Sequence, residues 1–160
     1  MKSNSTFMPN KPAHQMMRPN VAWAVDFAVL DFAHRPLVML VVDVGTRRPL
    51  SATMSLAIAD DVVATLERLA RRSGYPQELW VDHGREDHFR PIQTWSERHR
   101  ITVTYGPSRR TKAAAERPLR DLSASLRDKR FPTLLELGHE IERWRQSYAP
   151  AAPTIPDVNQ

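Results

Sequence analysis

From Val21 to Phe32 the chain alternates. Val21, Trp23, Val25, Phe27 and Val29 fall on one face of an extended strand, and Ala22, Ala24, Asp26 and Ala28 on the other. Residues 37 to 44 follow as a continuous apolar run that ends at Asp43-Val-Gly45, the pattern of a central strand closing in a turn. A weaker third strand covers residues 49 to 57, so the first three strands predict an antiparallel meander. The period then changes. Val62, Val63, Leu66, Leu69 and Ala70 form a helical stripe, with Asp60 or Asp61 as its cap and Gly74 and Pro76 as its stop. Residues 78 to 82 read as strand four. A helix with Asp87 as N-cap carries Phe89, Ile92 and Trp95, and Ile101 to Tyr105 is strand five. A basic loop, Gly106-Pro-Ser-Arg-Arg-Thr-Lys112, leads to a helix with Leu119, Leu122 and Leu126. Thr133 and Glu136 form a capping box for a last helix that buries Leu134, Leu137, Ile141, Trp144 and Tyr148.

The order is β-β-β-α-β-α-β-α-α. Helices between strands three, four and five imply parallel crossovers after the meander. The expected fold is α/β, a mixed five-stranded sheet with helices on both faces, the order of the ribonuclease H-like fold. Residues 1 to 20 read as a flexible arm, 21 to 148 as one core domain, and 149 to 160 as a flexible proline-rich tail.

Composition narrows the chemistry. There is no cysteine, which excludes disulfides and thiolate metal sites. No apolar run is long enough to span a bilayer, and the N-terminus lacks a signal-peptide core, so a cytoplasmic location and no membrane partner are expected. The 23 Lys and Arg against 18 Asp and Glu give a net charge of +5, which suits an anionic partner without naming it.

Three carboxylates stand out: Asp26 in the first strand, Asp82 at the end of the fourth, and Glu116 in Lys112-Ala-Ala-Ala-Glu116. Each has a plainer reading. Asp26 can be a paired structural residue, Asp82 a turn former before Gly84, and Glu116 a partner of Lys112 or Arg120 along a helix. Asp43 before Gly45 reads as hairpin chemistry. His83 and His88 flank Asp82 without a trusted zinc spacing. The four tryptophans fall on apolar stripes and read as core.

Arg18-Pro-Asn-Val-Ala-Trp-Ala-Val-Asp26, Val42-Asp-Val-Gly-Thr-Arg-Arg48, Asp82-His-Gly-Arg-Glu86 and Thr104-Tyr-Gly-Pro-Ser-Arg-Arg-Thr-Lys-Ala-Ala-Ala-Glu116 occur in that order. Together they resemble the retroviral-integrase-like (DDE) catalytic core of bacterial insertion-sequence transposases, over roughly residues 18 to 148. The resemblance implies that Asp26, Asp82 and Glu116 are the catalytic and metal-binding triad. It implies two Mg²⁺ or Mn²⁺ ions, DNA as substrate and partner, strand hydrolysis and strand transfer, and a homo-oligomer such as a dimer in a bacterial cytoplasm. Arg109, Arg110 and Lys112 would hold DNA phosphates. Pro118, just after Glu116, departs from the pattern of a regular helix. No helix-turn-helix precedes the core here, so an excised core or a partial copy of a longer protein is expected. The alternatives are a catalytically inactive DNA-binding or assembly domain derived from such a core, a nuclease without strand transfer, and an unrelated α/β binding module.

Overall fold

The computed structural model describes residues 18–32, 35–55, 59–81, 89–105 and 109–150. Five strands and four helices alternate among them. They are β1 (Ala22–Val29), β2 (Leu37–Asp43), β3 (Pro49–Ser55), α1 (Ala59–Ser73), β4 (Glu78–Val81), α2 (Phe89–Arg98), β5 (Thr102–Tyr105), α3 (Arg109–Leu126) and α4 (Leu134–Ser147). The sheet order is β3-β2-β1-β4-β5. β1 pairs antiparallel with β2, and β2 with β3. β4 runs parallel to β1 and to β5. This is the mixed sheet of the ribonuclease H-like fold.

The sheet is covered on both faces, and the side-chain alternation sorts the cover. Trp23, Val25, Met39, Val41, Leu79 and Val81 point to one face and meet Val62, Leu66 and Leu69 of α1 with Ile92 and Trp95 of α2. Val38, Leu40, Val42 and Ala52 point to the other and meet Ala115, Leu122 and Leu126 of α3 with Leu137 and Ile141 of α4. β2 is apolar on both faces because both are covered, and every one of its residues is buried.

α3 begins at Arg109. Residues 109 to 112 therefore lie in its opening turn, where the sequence had suggested a basic loop. Arg, Lys and Ala are strong helix formers, and the breakers Gly106 and Pro107 stand ahead of this stretch. The helix also runs through Pro118, which is buried. An interior proline costs about 3 kcal/mol. Burial of Leu122 and Leu126, at roughly 1.5–3 kcal/mol each, offsets that cost and holds the element together. α1 starts at Ala59, so Asp60 and Asp61 lie in its first turn and neither is its cap. The proposed cap Asp87 lies outside the described residues. α4 opens on the expected capping box: the Thr133 hydroxyl accepts from the Glu136 N–H, and the Glu136 carboxylate accepts from the Thr133 N–H. Leu137 and Ile141 are fully buried, while Leu134 and Trp144 pack on the same core less completely. Among the described residues no helix is long and apolar enough to cross a membrane.

Candidate active site

Asp26 sits in the interior of β1, directly opposite Leu40 of β2. Residues paired across an antiparallel ladder share a sheet face. Leu40 belongs to the core beneath α3 and α4, so Asp26 lies on that face too. Trp23, Val25 and Phe27 fill the opposite one. Its carboxylate is half-buried, and Oδ1 accepts a 2.8 Å hydrogen bond from the Phe27 N–H. Ala22 and Ala24 precede it on the same face by alternation, so the strand adds little bulk beside the carboxylate.

Glu116 lies within α3, one residue after Ala115, which is buried against the sheet. α3 packs on β1 and β2. Glu116 itself is exposed and makes no ion pair among the described residues; the nearby pair on this helix is Arg117 with Asp121, at 3.6 Å. Asp82 lies outside the described residues, as do His83 and His88. β4 ends at Val81, whose parallel partner on β1 is Val25. The backbone of Arg109, Arg110 and Lys112 forms the start of α3. Among the described residues no group of three or more histidines, aspartates and glutamates stands close enough to hold a metal ion.

Asp43 has a different job. It is only 4% exposed, and both its oxygens are engaged by backbone. Oδ1 accepts from the Thr46 N–H at 2.8 Å, which closes the β2–β3 turn, and Oδ2 accepts from the Asn20 N–H at 2.6 Å. Asn20 adopts a left-handed backbone (φ 63°), and its Oδ1 accepts the indole N–H of Trp23 at 2.9 Å. Asn20 was assigned to the arm on sequence grounds, yet it is bonded into the core. Asn20, Trp23 and Asp43 thus form one latch at the start of β1.

A second cluster had no signal in the periodicity. Glu67 of α1 accepts from Trp95 Nε1 at 2.9 Å, Arg71 Nε at 2.8 Å and Tyr75 OH at 3.0 Å. His99 Nε2 lies 3.4 Å away, and the His99 ring stacks on Tyr75 with centroids 4.3 Å apart. The Trp95 and Arg71 donors, aided by Tyr75, outweigh partial burial and hold the Glu67 carboxyl down at about 2, from an ordinary 4.5.

No family model matches the chain. In sequence it is 27% identical over 143 residues to an uncharacterized 31.7 kDa protein of insertion element IS407 from Burkholderia multivorans (strain ATCC 17616 / 249), across 84% of this chain and 51% of that protein. The chain thus spans about half the length of this curated relative. In structure it resembles the catalytic core domain of BIV integrase, with a TM-score of 0.62 and 16% identity over 82% of this chain and 88% of that one. It also resembles the HTLV-2 integrase catalytic core domain in complex with magnesium, in a dimeric form, with a TM-score of 0.59 and 15% identity over 79% and 85% of the two chains. A third likeness is to the simian T-cell lymphotropic virus intasome in complex with PP2A regulatory subunit B56 gamma, with a TM-score of 0.60 and 18% identity over 89% of this chain and 59% of that one. The chain therefore has the fold of these integrase catalytic cores and is similar in sequence to an insertion-element protein.

Proposed function

We propose that this chain is the catalytic core of a DNA transposase or integrase, hydrolysing and transferring phosphodiester bonds of DNA with Asp26, Asp82 and Glu116 as its acids. The observation that carries the proposal is the register of β1 against β4. Val25 pairs with Val81, and both faces of the ladder are fixed by buried neighbours. Continuing that parallel pairing by one position would set Asp82 opposite Asp26, on the sheet face that α3 covers. Glu116 would approach from α3 as the third acid. Similarity to an insertion-element protein, to an integrase core in complex with magnesium and to an intasome supports the same reading.

The donor set is all carboxylate, which suits a hard divalent cation and not a soft one. Mg²⁺ or Mn²⁺ held by Asp26, Asp82 and Glu116 would supply a Lewis acid for in-line phosphoryl displacement, as a pair of ions in the two-metal form. The protein's part is placement. Asp26 is fixed on a central strand, so its position does not depend on loop order. Glu116 is exposed and unpaired among the described residues, so it is free to turn toward substrate or ion. Arg109, Arg110 and Lys112, in the opening turn of α3, would bring positive charge and helix N–H groups to the DNA phosphates. Such contacts give binding that is largely independent of sequence. A dimer with DNA is the assembly we expect.

The test is nicking of supercoiled plasmid DNA with Mn²⁺, run on the wild type beside Asp26→Asn and Glu116→Gln. We expect cleavage by the wild type and a loss of at least about a hundredfold in either variant. Equal cleavage by all three proteins would remove the catalytic assignment. No cleavage by any, with DNA still bound, would leave the inactive DNA-binding core as the reading.

A further inference from the structure

At the turn between β2 and β3 the chain carries Arg47 and Arg48 on an unusually constrained frame. The Asp43 carboxylate holds the Thr46 N–H, the Arg47 N–H donates to the Asp43 carbonyl at 2.8 Å, and the Asp43 N–H donates to the Arg48 carbonyl at 3.0 Å. Arg47 adopts φ 60°, the left-handed region that favours glycine. The turn has Gly45 available, yet the positive φ falls on an arginine. That conformation costs on the order of 1 kcal/mol, and retained strain of this kind is a reason to look for function.

The frame faces a hollow of about 450 Å³ between the turn and the C-terminal ends of α1 and α4. Arg48, Arg72 and Arg145 line it from three separate elements, over a wall of Pro49, Leu50 and Leu69. Arg145 is held by Glu142 through two hydrogen bonds, at 2.8 Å and 2.6 Å. Arg145 and Arg72 both act to keep the Glu142 carboxyl ionised, and Asp121 Oδ2 accepts from the hydroxyl of Tyr148, a lining residue, at 3.4 Å. Three guanidinium groups line the hollow, and no carboxylate does among the described residues. Arg48 and Arg72 are exposed, and neither forms an ion pair with a described residue. Two free planar forks around one hollow match the oxygens of a phosphodiester, which guanidinium binds in bidentate fashion.

We infer that this hollow is a second DNA-backbone site, in which Arg48 and Arg72 grip phosphate at the end of the sheet opposite the acids. The inference rests on the DNA-binding reading and places a contact that the start of α3 cannot supply. The two ends of β1 separate the two basic regions. A duplex gripped at both would lie along the protein, and the rigid turn would fix its register.

The experiment measures binding of a short duplex of arbitrary sequence across a salt series, by fluorescence anisotropy. Four proteins are compared: the wild type, an Arg48→Ala/Arg72→Ala double variant, an Arg109→Ala/Arg110→Ala/Lys112→Ala triple variant, and an Arg90→Ala/Arg98→Ala control. The control removes the same charge from the cleft between α1 and α2. Each lost phosphate contact lowers the slope of log K against log salt by about 0.9, so the double variant should lose nearly twice that while the control keeps the wild-type slope. An unchanged slope in the double variant, with a flattened one in the triple variant, overturns this inference and leaves the DNA reading standing. An equal loss in the control would show a net-charge effect and overturn it too. Loss of a dimer in the double variant, seen by sedimentation with the slope intact, would assign the hollow to a second copy of the chain instead. A wild type that binds no duplex would remove the DNA reading itself.

Discussion

Two aspartates on neighbouring strands show how position decides the use of a carboxylate. Asp43 is buried with two backbone N–H groups on its oxygens, so it builds structure. Asp26 is half-buried on a face with small neighbours, and its Oδ1 accepts from the adjacent Phe27 N–H. The sequence separated these roles correctly for Asp43, because Asp before Gly is a turn signal. It did not reveal the Asn20 partner, since a contact across 23 positions leaves no local pattern. Glu67 makes a residue-scale prediction. Its folded pKa lies near 2, below the ordinary 4.5, so it stabilises the fold fully above about 4.5 and progressively less as pH falls toward 2. The gap in melting temperature between the wild type and Glu67→Gln should be widest near neutrality and should close through that window. A gap that ignores pH would mean that shape, and not charge, holds the cluster.

At the scale of elements, the alternation in β1 and the apolar run in β2 were readable because each strand's exposure is set by the faces it shows to helices. Strand three ends at Ser55 where residues to 57 had been expected, and residues 56 to 58 lie outside the described set. The start of α3 was misplaced for a physical reason. The run of charges from Arg109 to Lys112 reads as a loop, but these residues are helix formers, and burial of Leu122 and Leu126 carries the helix on across Pro118. This gives a test. Pro118→Ala restores a donor to the Ala114 carbonyl and removes the ring clash, so it should raise stability to urea by about 1–3 kcal/mol, less whatever packing the buried ring supplies. A lowered urea midpoint would show that the proline's packing outweighs its backbone cost.

For the whole molecule, the fold was legible from the order of periods, and the site was legible only as far as that order places strands. Strand four beside strand one follows from two crossovers, and the coordinates bear it out. The convergence of three side chains depends on distances in space, which no period along a sequence encodes. Metal linkage approaches the question from solution. Clustered carboxylates repel one another without a cation, so millimolar Mn²⁺ should raise the melting temperature of the wild type by ligand linkage and leave Asp82→Asn unmoved. A wild-type melting curve indifferent to Mn²⁺ would count against the shared site.

The latch at Asn20 also sets the molecule's polarity. Asn20 is bonded to Asp43, the Asp43 N–H to the Arg48 carbonyl, and Tyr148 borders the hollow that Arg48 lines. The chain therefore enters and leaves the described core at one pole. Asp26 lies about 13 Å further along β1 from Ala22, at 3.3 Å per residue, and β4 ends at that far pole. Anything joined to either side of the core starts from the pole away from the proposed acids. A neighbouring module can grow there without crowding the place where a DNA strand would be cut, and its tether must run the length of the sheet to act on the same strand.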